Sequence, residues 1–450
     1  MRLSILYILS ILLIPGALAL AQDVSVTVYN ENLGLVREIR QMAVSKGQGK
    51  LEFVDVASKI DPTSVHLKSL TSSDKFAVFE QNYLYDLANA RSILQKYLDH
   101  DITLVTKSNT FTGTLLSSES GDVVLREKDG NIRIIREAQI HDFSLGELPE
   151  GLIARPTLFW LVNNTGPEQQ KIELSYLTTG INWHAEYVAV ADADDKYLDV
   201  SGWVSLDNQS GAAYKNAKLK LVAGDVHRVQ EPAGVLYATE RMAMAKTAAE
   251  PQFEEKAFFE YHLYTLKCRT TLKNNQTKQI SLLSASEVPA KKIYVYDGLR
   301  YQDKVRVHFE IKNEKKRGLG LPLPKGKVRV YKADTDGALE FIGEDAIDHT
   351  PVDEKVRIFL GNAFDLVGER VQKKTERISD RSRRIQVEVN LRNHKKQAAK
   401  IVVLEHLWGD WEITQETHEF SRKSSTEAEF VIPVPAGGEA VLRYTAMLKW

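Results

Sequence analysis

The sequence is poor in cysteine, since its 450 residues contain only Cys268. A single thiol forms no intrachain disulfide and supplies no cysteine pair for a metal centre or a redox motif. We therefore expect Cys268 to be a small buried apolar residue. The fold must then be stabilised by its apolar core without covalent cross-links.

An excess of charge of either sign is also missing. The chain has 59 lysine and arginine residues and 60 aspartate and glutamate residues, for a formal net charge of -1. No overall field therefore favours a polyanion or a polycation as partner, and we do not expect nucleic-acid binding.

Familiar catalytic motifs are absent. The chain contains no His-Glu-x-x-His, no Gly-x-Ser-x-Gly and no phosphate-binding glycine loop. It therefore lacks the motifs that identify zinc peptidases, hydrolases with a nucleophile elbow and nucleotide-binding enzymes. We predict no catalytic residue, no cofactor and no metal site, and we favour a binding protein over an enzyme.

Long apolar runs are missing except at the start. Arg2 precedes an apolar run at 3–14, followed by Pro15-Gly16 and by Ala19-Leu20-Ala21. This is the pattern of a signal peptide cleaved after Ala21, and its run is short for the ~17 to 25 residues of a membrane-spanning helix. We expect an exported protein of the periplasm or cell surface, with no transmembrane segment after cleavage.

What the rest of the chain does have is apolar residues at every second position. Val24, Val26 and Val28 show this pattern, and 305–311 and 387–391 repeat it. Turn sequences such as Asp129-Gly130 separate the runs. Alternation of this kind predicts half-buried strands joined by hairpins, and so an all-β fold class.

Changes in the pattern predict four regions: a signal peptide at 1–21, an N-terminal small β domain at 22–75, a helix with a small barrel at 76–150, and a large antiparallel β-sandwich at 151–450. The helix is predicted over 86–98. The five short strands that follow it resemble an Sm-like or SH3-like barrel, although fold alone does not assign function. Residues 230–260 lose alternation and are predicted to form a flexible insertion, or long internal linker, in the sandwich.

Several blocks of the C-terminal region resemble a known family when taken in order. They are INWHAEY (181–187), GWVSLDN (202–208), EYHLYTL (260–266), TLKNNQTKQI (271–280), LPLPKGKVRVY (321–331), FIGE (341–344), NHK (393–395) and GDW (409–411). Over about 156–450 the chain resembles the bacterial exported proteins grouped as domain of unknown function 4139. The resemblance implies an extracytoplasmic β-sandwich and supplies no catalytic residues.

Two groups of residues are candidate binding residues. Trp408 and Trp411 flank a tight turn, where exposed indoles stack on sugar rings or anchor a protein partner, although tryptophans beside strands more often pack in the core. Asp345, Asp348 and His349 lie close in sequence and could serve a glycosidase or bind calcium. Their plainer interpretation is a polar hairpin edge.

A basic run lies between residues 370 and 384. Its members are Arg370, Lys373, Lys374, Arg377, Arg381, Arg383 and Arg384, interrupted by Glu369, Glu376 and Asp380. Such a run could touch lipid headgroups or an acidic polysaccharide. The interleaved acids favour a solvated loop that neutralises itself.

These features together predict an exported, non-enzymatic binding or structural protein of the cell envelope, with an envelope protein or a polysaccharide as its partner. The alternative is a glycan-active hydrolase that uses loop carboxylates. A carboxylate with a strongly raised pKa in a cleft would favour that alternative. A third interpretation is recognition of an extracellular polymer by the small barrel.

Overall fold

The computed structural model describes residues 23–84, 90–119, 121–146, 155–224, 252–334 and 337–450. The predicted signal peptide and residues 230–251 of the predicted insertion lie outside the described residues. The described part of the chain is all-β, as the alternating pattern predicts.

The strands and helices follow one another along the chain in three groups. The first group is β1 (Asp23–Tyr29), β2 (Leu33–Ala43), β3 (Gly47–Val54), β4 (His66–Ser69), β5 (Phe76–Leu84), α1 (Ala90–Lys96), β6 (Asp101–Thr106), β7 (Thr110–Ser117), β8 (Asp122–Glu127), β9 (Ile132–Arg136) and β10 (Ile140–Ser144). The second group is β11 (Thr157–Asn164), β12 (Gln169–Thr178), β13 (Ile181–Ala191), β14 (Tyr197–Asn208), β15 (Tyr214–Ala223), β16 (Phe253–Phe258), β17 (Tyr261–Leu266) and β18 (Thr270–Leu272). The third group is β19 (Gln276–Tyr296), α2 (Gly298–Tyr301), β20 (Lys304–Lys312), β21 (Gly326–Ala333), β22 (Leu339–Ile347), β23 (Lys355–Ser379), β24 (Ser382–Asn393), β25 (Ala399–His406), β26 (Asp410–Glu416), β27 (Phe420–Ser424), β28 (Glu427–Val434) and β29 (Glu439–Lys449).

The N-terminal strands share their sheets with later strands. An eight-stranded sheet has the order β16-β17-β15-β1-β2-β12-β4, with β18 also paired to β15, and a three-stranded sheet has the order β3-β11-β5. Ser25 of β1 lies opposite Lys218 of β15. The segment 22–75, expected as a small β domain, therefore completes sheets of the following region instead of closing on itself.

The largest sheet has 13 strands. Its order is β22-β21-β13-β14-β19-β20-β23-β24-β29-β26, with β25 paired to β19 and β28, and β27 paired to β28. Most pairs are antiparallel, but the pairs β1–β15, β13–β21 and β19–β25 are parallel. Parallel partners come from strands far apart in sequence, so hairpin patterns do not reveal them.

The predicted insertion is partly ordered as a strand. Residues 253–258 form β16, which pairs with β17 through Glu254 opposite Thr265. Phe253 is buried in the core, and this burial explains why the segment joins the sheet. The predicted linker at 230–260 therefore ends earlier than the loss of alternation indicates.

The small sheet lies beside α1. Its order is β10-β6-β7-β8-β9, and its core contains Leu94 of the helix and Tyr97, which directly follows the helix. Leu98, which the predicted helix included, is 40% exposed because the helix ends at Lys96. At Gly113 of β7 an added Cβ would lie 2.4 Å from the carbonyl oxygen of Arg126, so glycine permits the close approach of β7 and β8.

Two larger cores fill the rest of the molecule. The main core includes Trp160 and Trp183, and the distal core includes Val389 and Phe430. Three long strands contribute to both: β19, β20 and β23 place Val288, Phe309 and Ile358 in the main core, and Tyr296, Val305 and Leu366 in the distal core. The two cores therefore follow one another along continuous strands.

Buried asparagines close the ends of several strands. Asn164, Asn208, Asn313 and Asn393 are at most 3% exposed and lie at or just after the ends of β11, β14, β20 and β24. Asn393 Nδ2 donates to the carbonyl oxygens of Gln397, Val434 and Pro435, and its Oδ1 accepts from the Lys395 N–H. Each amide thus satisfies backbone groups of a loop that would otherwise be buried without partners.

Asn164 allows a matched test of these amides. Its Nδ2 donates to the carbonyl oxygens of Val44 and Pro167, at 2.8 and 2.9 Å. Since each orphaned buried group costs about 1 to 3 kcal/mol, we expect Asn164→Ala to lower the free energy of unfolding in urea by about 2 to 4 kcal/mol. The half-buried neighbour Asn163 is the control, and Asn163→Ala should change stability by less than about 0.5 kcal/mol. Equal losses from both variants would contradict the assignment.

Candidate functional site

A tight turn between β25 and β26 carries Trp408. Leu407 before it is buried, whereas Gly409 after it adopts a positive φ of 68°. A Cβ at position 409 would lie 2.2 Å from the carbonyl oxygen of Lys449. Glycine therefore lets the turn lie against the end of β29, and this brings Trp408 beside Trp450.

The two indoles form an exposed stack, here called the indole platform (Trp408 and Trp450). Their ring centres lie 6.3 Å apart with an angle of 12° between the planes. Trp408 is 63% exposed and Trp450 is 54% exposed. Large aromatic surface in the open is the kind of feature that marks a binding surface.

Trp411, the other predicted binding tryptophan, belongs to the core. It is 2% exposed, and its Nε1 donates to the carbonyl oxygen of Ser425 at 2.7 Å. The guanidinium of Arg422 lies 3.8 Å from the centre of its ring. The predicted pair is therefore divided between the surface and the interior, because alternation along β26 turns Trp411 inward.

A series of ring contacts connects Trp411 to a buried ion pair. Trp411 contacts Phe420, Phe420 contacts Phe430, and Phe430 stacks on Tyr444 with ring centres 5.5 Å apart. The Tyr444 hydroxyl donates to Glu405 Oε2 at 2.6 Å. The surface that bears the platform is thus built on well-packed side chains.

Glu405 is fully buried and fully partnered. Arg370 Nε donates to both of its carboxylate oxygens, at 3.1 and 3.0 Å. Burial raises the pKa of Glu405, and the nearby Arg370 charge opposes this rise. This carboxylate is not the cleft acid that a glycan hydrolase needs, because it has no exposed surface and its oxygens are already bonded.

Removal of one partner of this pair should be costly. We expect Arg370→Met to lower the free energy of unfolding by about 3 to 5 kcal/mol, because it leaves the Glu405 charge buried without a counter-ion. The double variant Arg370→Met/Glu405→Leu should recover at least half of that loss. Urea unfolding of the single and double variants measures both effects, and an additive loss would contradict the buried pair.

The predicted group Asp345, Asp348 and His349 is spread over separate backbone contacts. Asp345 accepts from the N–H groups of Ala346 and Phe359, at 2.9 and 2.7 Å. His349 Nδ1 accepts from the Lys325 N–H at 3.1 Å, and Asp348 is exposed. These contacts fit the polar hairpin edge, since β22 lies at the edge of its sheet.

His308 is a buried titratable residue that sequence reasoning missed. It is 8% exposed, its ring lies 5.4 Å from that of Phe359, and its Nδ1 has no hydrogen-bond partner in the described part of the chain. Burial, followed by the charges of Arg306 and Arg357, lowers its pKa to about 4, while Asp345 acts in the opposite direction. Alternation along 305–311 predicts His308 on the polar face with Arg306 and Glu310, so no sequence pattern indicates its burial.

This lowered pKa makes stability depend on pH. The folded state disfavours the imidazolium, so the contribution of His308 is present above the ordinary pKa of 6.5 and is lost as the pH falls towards 4. Between these pH values we expect the unfolding free energy of the wild type to fall by about 1 to 3 kcal/mol more than that of His308→Gln, a range that allows for solvent screening of the imidazolium. Urea unfolding across this range measures the difference, with exposed His66→Gln as the control. Parallel curves for wild type and His308→Gln would contradict this.

Two further surface depressions are too shallow to enclose a ligand. Shallow grooves of about 220 and 290 Å³ open on the C-terminal half, one beside Lys291 and Lys355 and the other beside Glu388 and Arg443. Glu388 in the second groove accepts from both Lys373 and Arg443, so its charge is already matched. Among the described residues no three histidine, cysteine, aspartate or glutamate side chains are placed to hold a metal ion. Cys268, which we expected to be buried, is exposed instead.

Comparison with known proteins assigns no relative. No protein-family model matches this sequence, and no curated protein matches it. The resemblance to domain of unknown function 4139 therefore stays a prediction. In the described part of the chain, none of the helices has the length and hydropathy needed to span a bilayer.

Proposed function

We propose that this chain is an exported, non-enzymatic binding protein of the cell envelope, located in the periplasm or at the cell surface. The observation that carries the proposal is the indole platform. Two large aromatic rings stand exposed at one end of the sheet, although burial of either would be favourable by about 2 kcal/mol or more. A partner that covers these rings would recover that energy.

The support for the platform extends below the surface. Trp408 lies in the tight turn between β25 and β26, and Trp450 directly follows β29. These three strands pack on the distal core. A site on such a support loses little conformational entropy when a ligand binds. Export and envelope location are supported by the leader at 1–21 and by the resemblance of 156–450 to extracytoplasmic proteins.

Capture from the cell envelope tests the proposal. The protein without its leader is incubated with its own envelope under mild crosslinking, and bound proteins and glycans are identified. We expect Trp408→Ala/Trp450→Ala to reduce the main captured component at least about tenfold, an amount that corresponds to about 1.4 kcal/mol. The control is Phe364→Ala, which removes another exposed ring, 97% accessible, from β23.

Two outcomes would contradict the proposal. Equal capture by the wild type and the double tryptophan variant would place binding elsewhere. A captured polysaccharide that becomes shorter on incubation would instead identify a hydrolase.

A further inference from the structure

The indole platform is bordered by positive charge. The Arg383 guanidinium lies 5.4 Å from the centre of the Trp450 ring. The carbonyl oxygen of Arg381 accepts from the backbone N–H of Trp450 at 3.1 Å, so Arg381 also lies next to the platform. Both arginine residues are exposed.

These two arginines differ from the other cations of their hairpin, which β23 and β24 form in place of the predicted loop. The others are matched with acids: the ion pairs are Arg370–Glu405, Lys373–Glu388, Lys374–Glu376, Arg377–Asp380 and Arg384–Glu376. Arg381 and Arg383 take part in no ion pair within the described residues. The self-neutralisation predicted for the basic run therefore stops at the platform.

Two acids lie close to the platform residues, one in sequence and one through strand pairing. Asp380 directly precedes Arg381 and forms an ion pair with Arg377. Asp410 is exposed and lies opposite Lys449 in the pairing of β26 with β29. Alternation along β26 puts Asp410 on the face opposite to Trp411, whereas Arg383 pairs with Leu448 and so shares the Trp411 face. Arg383 therefore places its positive charge on the Trp450 face, whereas Asp410 lies on the opposite face.

We propose that the indole platform, together with Arg383 and Arg381, binds an acidic polysaccharide through its uronate sugars. The apolar face of a pyranose ring packs on an indole, and a guanidinium binds a carboxylate through two parallel N–H donors. The inference rests on the proposed function and names the ligand class of the same site.

Charge distribution favours this ligand over a nucleic acid. Single-stranded nucleic acids also stack on aromatic rings, but their binding sites follow the phosphates along an extended positive groove. Here the unmatched arginines are confined to the platform, and the rest of the hairpin is neutralised. The carboxylate of a uronate sugar that stacks on an indole needs only the positive charge of these two arginines.

A pair of matched ligands tests the inference. Calorimetry at low salt compares oligogalacturonates, oligoglucuronates and oligomannuronates with the same oligomers after reduction of their carboxyl groups to primary alcohols. Reduction keeps the ring face and removes the charge. We expect the full-length exported chain to bind at least one acidic oligomer about tenfold more tightly than its reduced form.

Three variants separate stacking from charge. Arg383→Gln should abolish most of the preference for the acidic oligomer, whereas Trp408→Ala/Trp450→Ala should abolish binding of both forms. The control is Lys400→Gln, which removes an exposed cation from β25 near Asn393, at the opposite end of β24 from Arg383. Lys400→Gln should keep the full preference for the acidic oligomer over its reduced form.

The inference is overturned if both oligomer forms bind equally, if Arg383→Gln keeps the full preference, or if no uronate oligomer binds. Tighter binding of oligothymidylate, with the same dependence on the tryptophans, would also overturn it in favour of a nucleic acid. The proposed function would survive each of these results provided that envelope capture still depended on Trp408 and Trp450. Failure of the uronate inference can therefore be distinguished from failure of the proposed function.

Discussion

The fold depends on buried amides that satisfy the backbone where strands end. Asn164, Asn208, Asn313 and Asn393 each donate to at least two carbonyl oxygens and accept from a backbone N–H. A chain made of many strands must reverse direction often, and each reversal next to a core buries polar groups. An asparagine side chain supplies donors and an acceptor in one place, so these loops can pack against the sheets and the strands can keep their register.

The distal core shows how an exposed aromatic surface and a buried charge can share one support. Ring contacts lead from Trp411 to Tyr444, whose hydroxyl binds the carboxylate of the Arg370–Glu405 pair. Apolar packing alone would tolerate several arrangements of these rings, whereas a buried ion pair requires one geometry to satisfy its charges. We infer that this requirement helps to hold the strand ends that present the indole platform.

Sequence reasoning succeeds where structure is determined locally. Alternation predicts strands such as β1 because each strand buries one face, and it yields the all-β class. It does not predict that β1 pairs with β15, nor which tryptophan beside Gly409 is exposed, because both depend on distant strands. Alternation along β29 continues the buried face from Leu448 to Trp450, and so predicts burial for a ring that the structure exposes. No sequence pattern indicates the pairing of Arg370 with Glu405. A run of basic residues predicts a solvated segment, and only the folded structure brings Glu405 next to Arg370.

The strands shared by the two cores connect the indole platform to the main core. β19, β20 and β23 run from the main core into the distal core, so within the described residues the two cores are joined by continuous β-strands. Cutting the chain between the cores would sever paired strands and expose open edges that invite aggregation. Continuous strands of this kind leave few freely rotating bonds between the two cores, so the indole platform is held at a set distance from the main core.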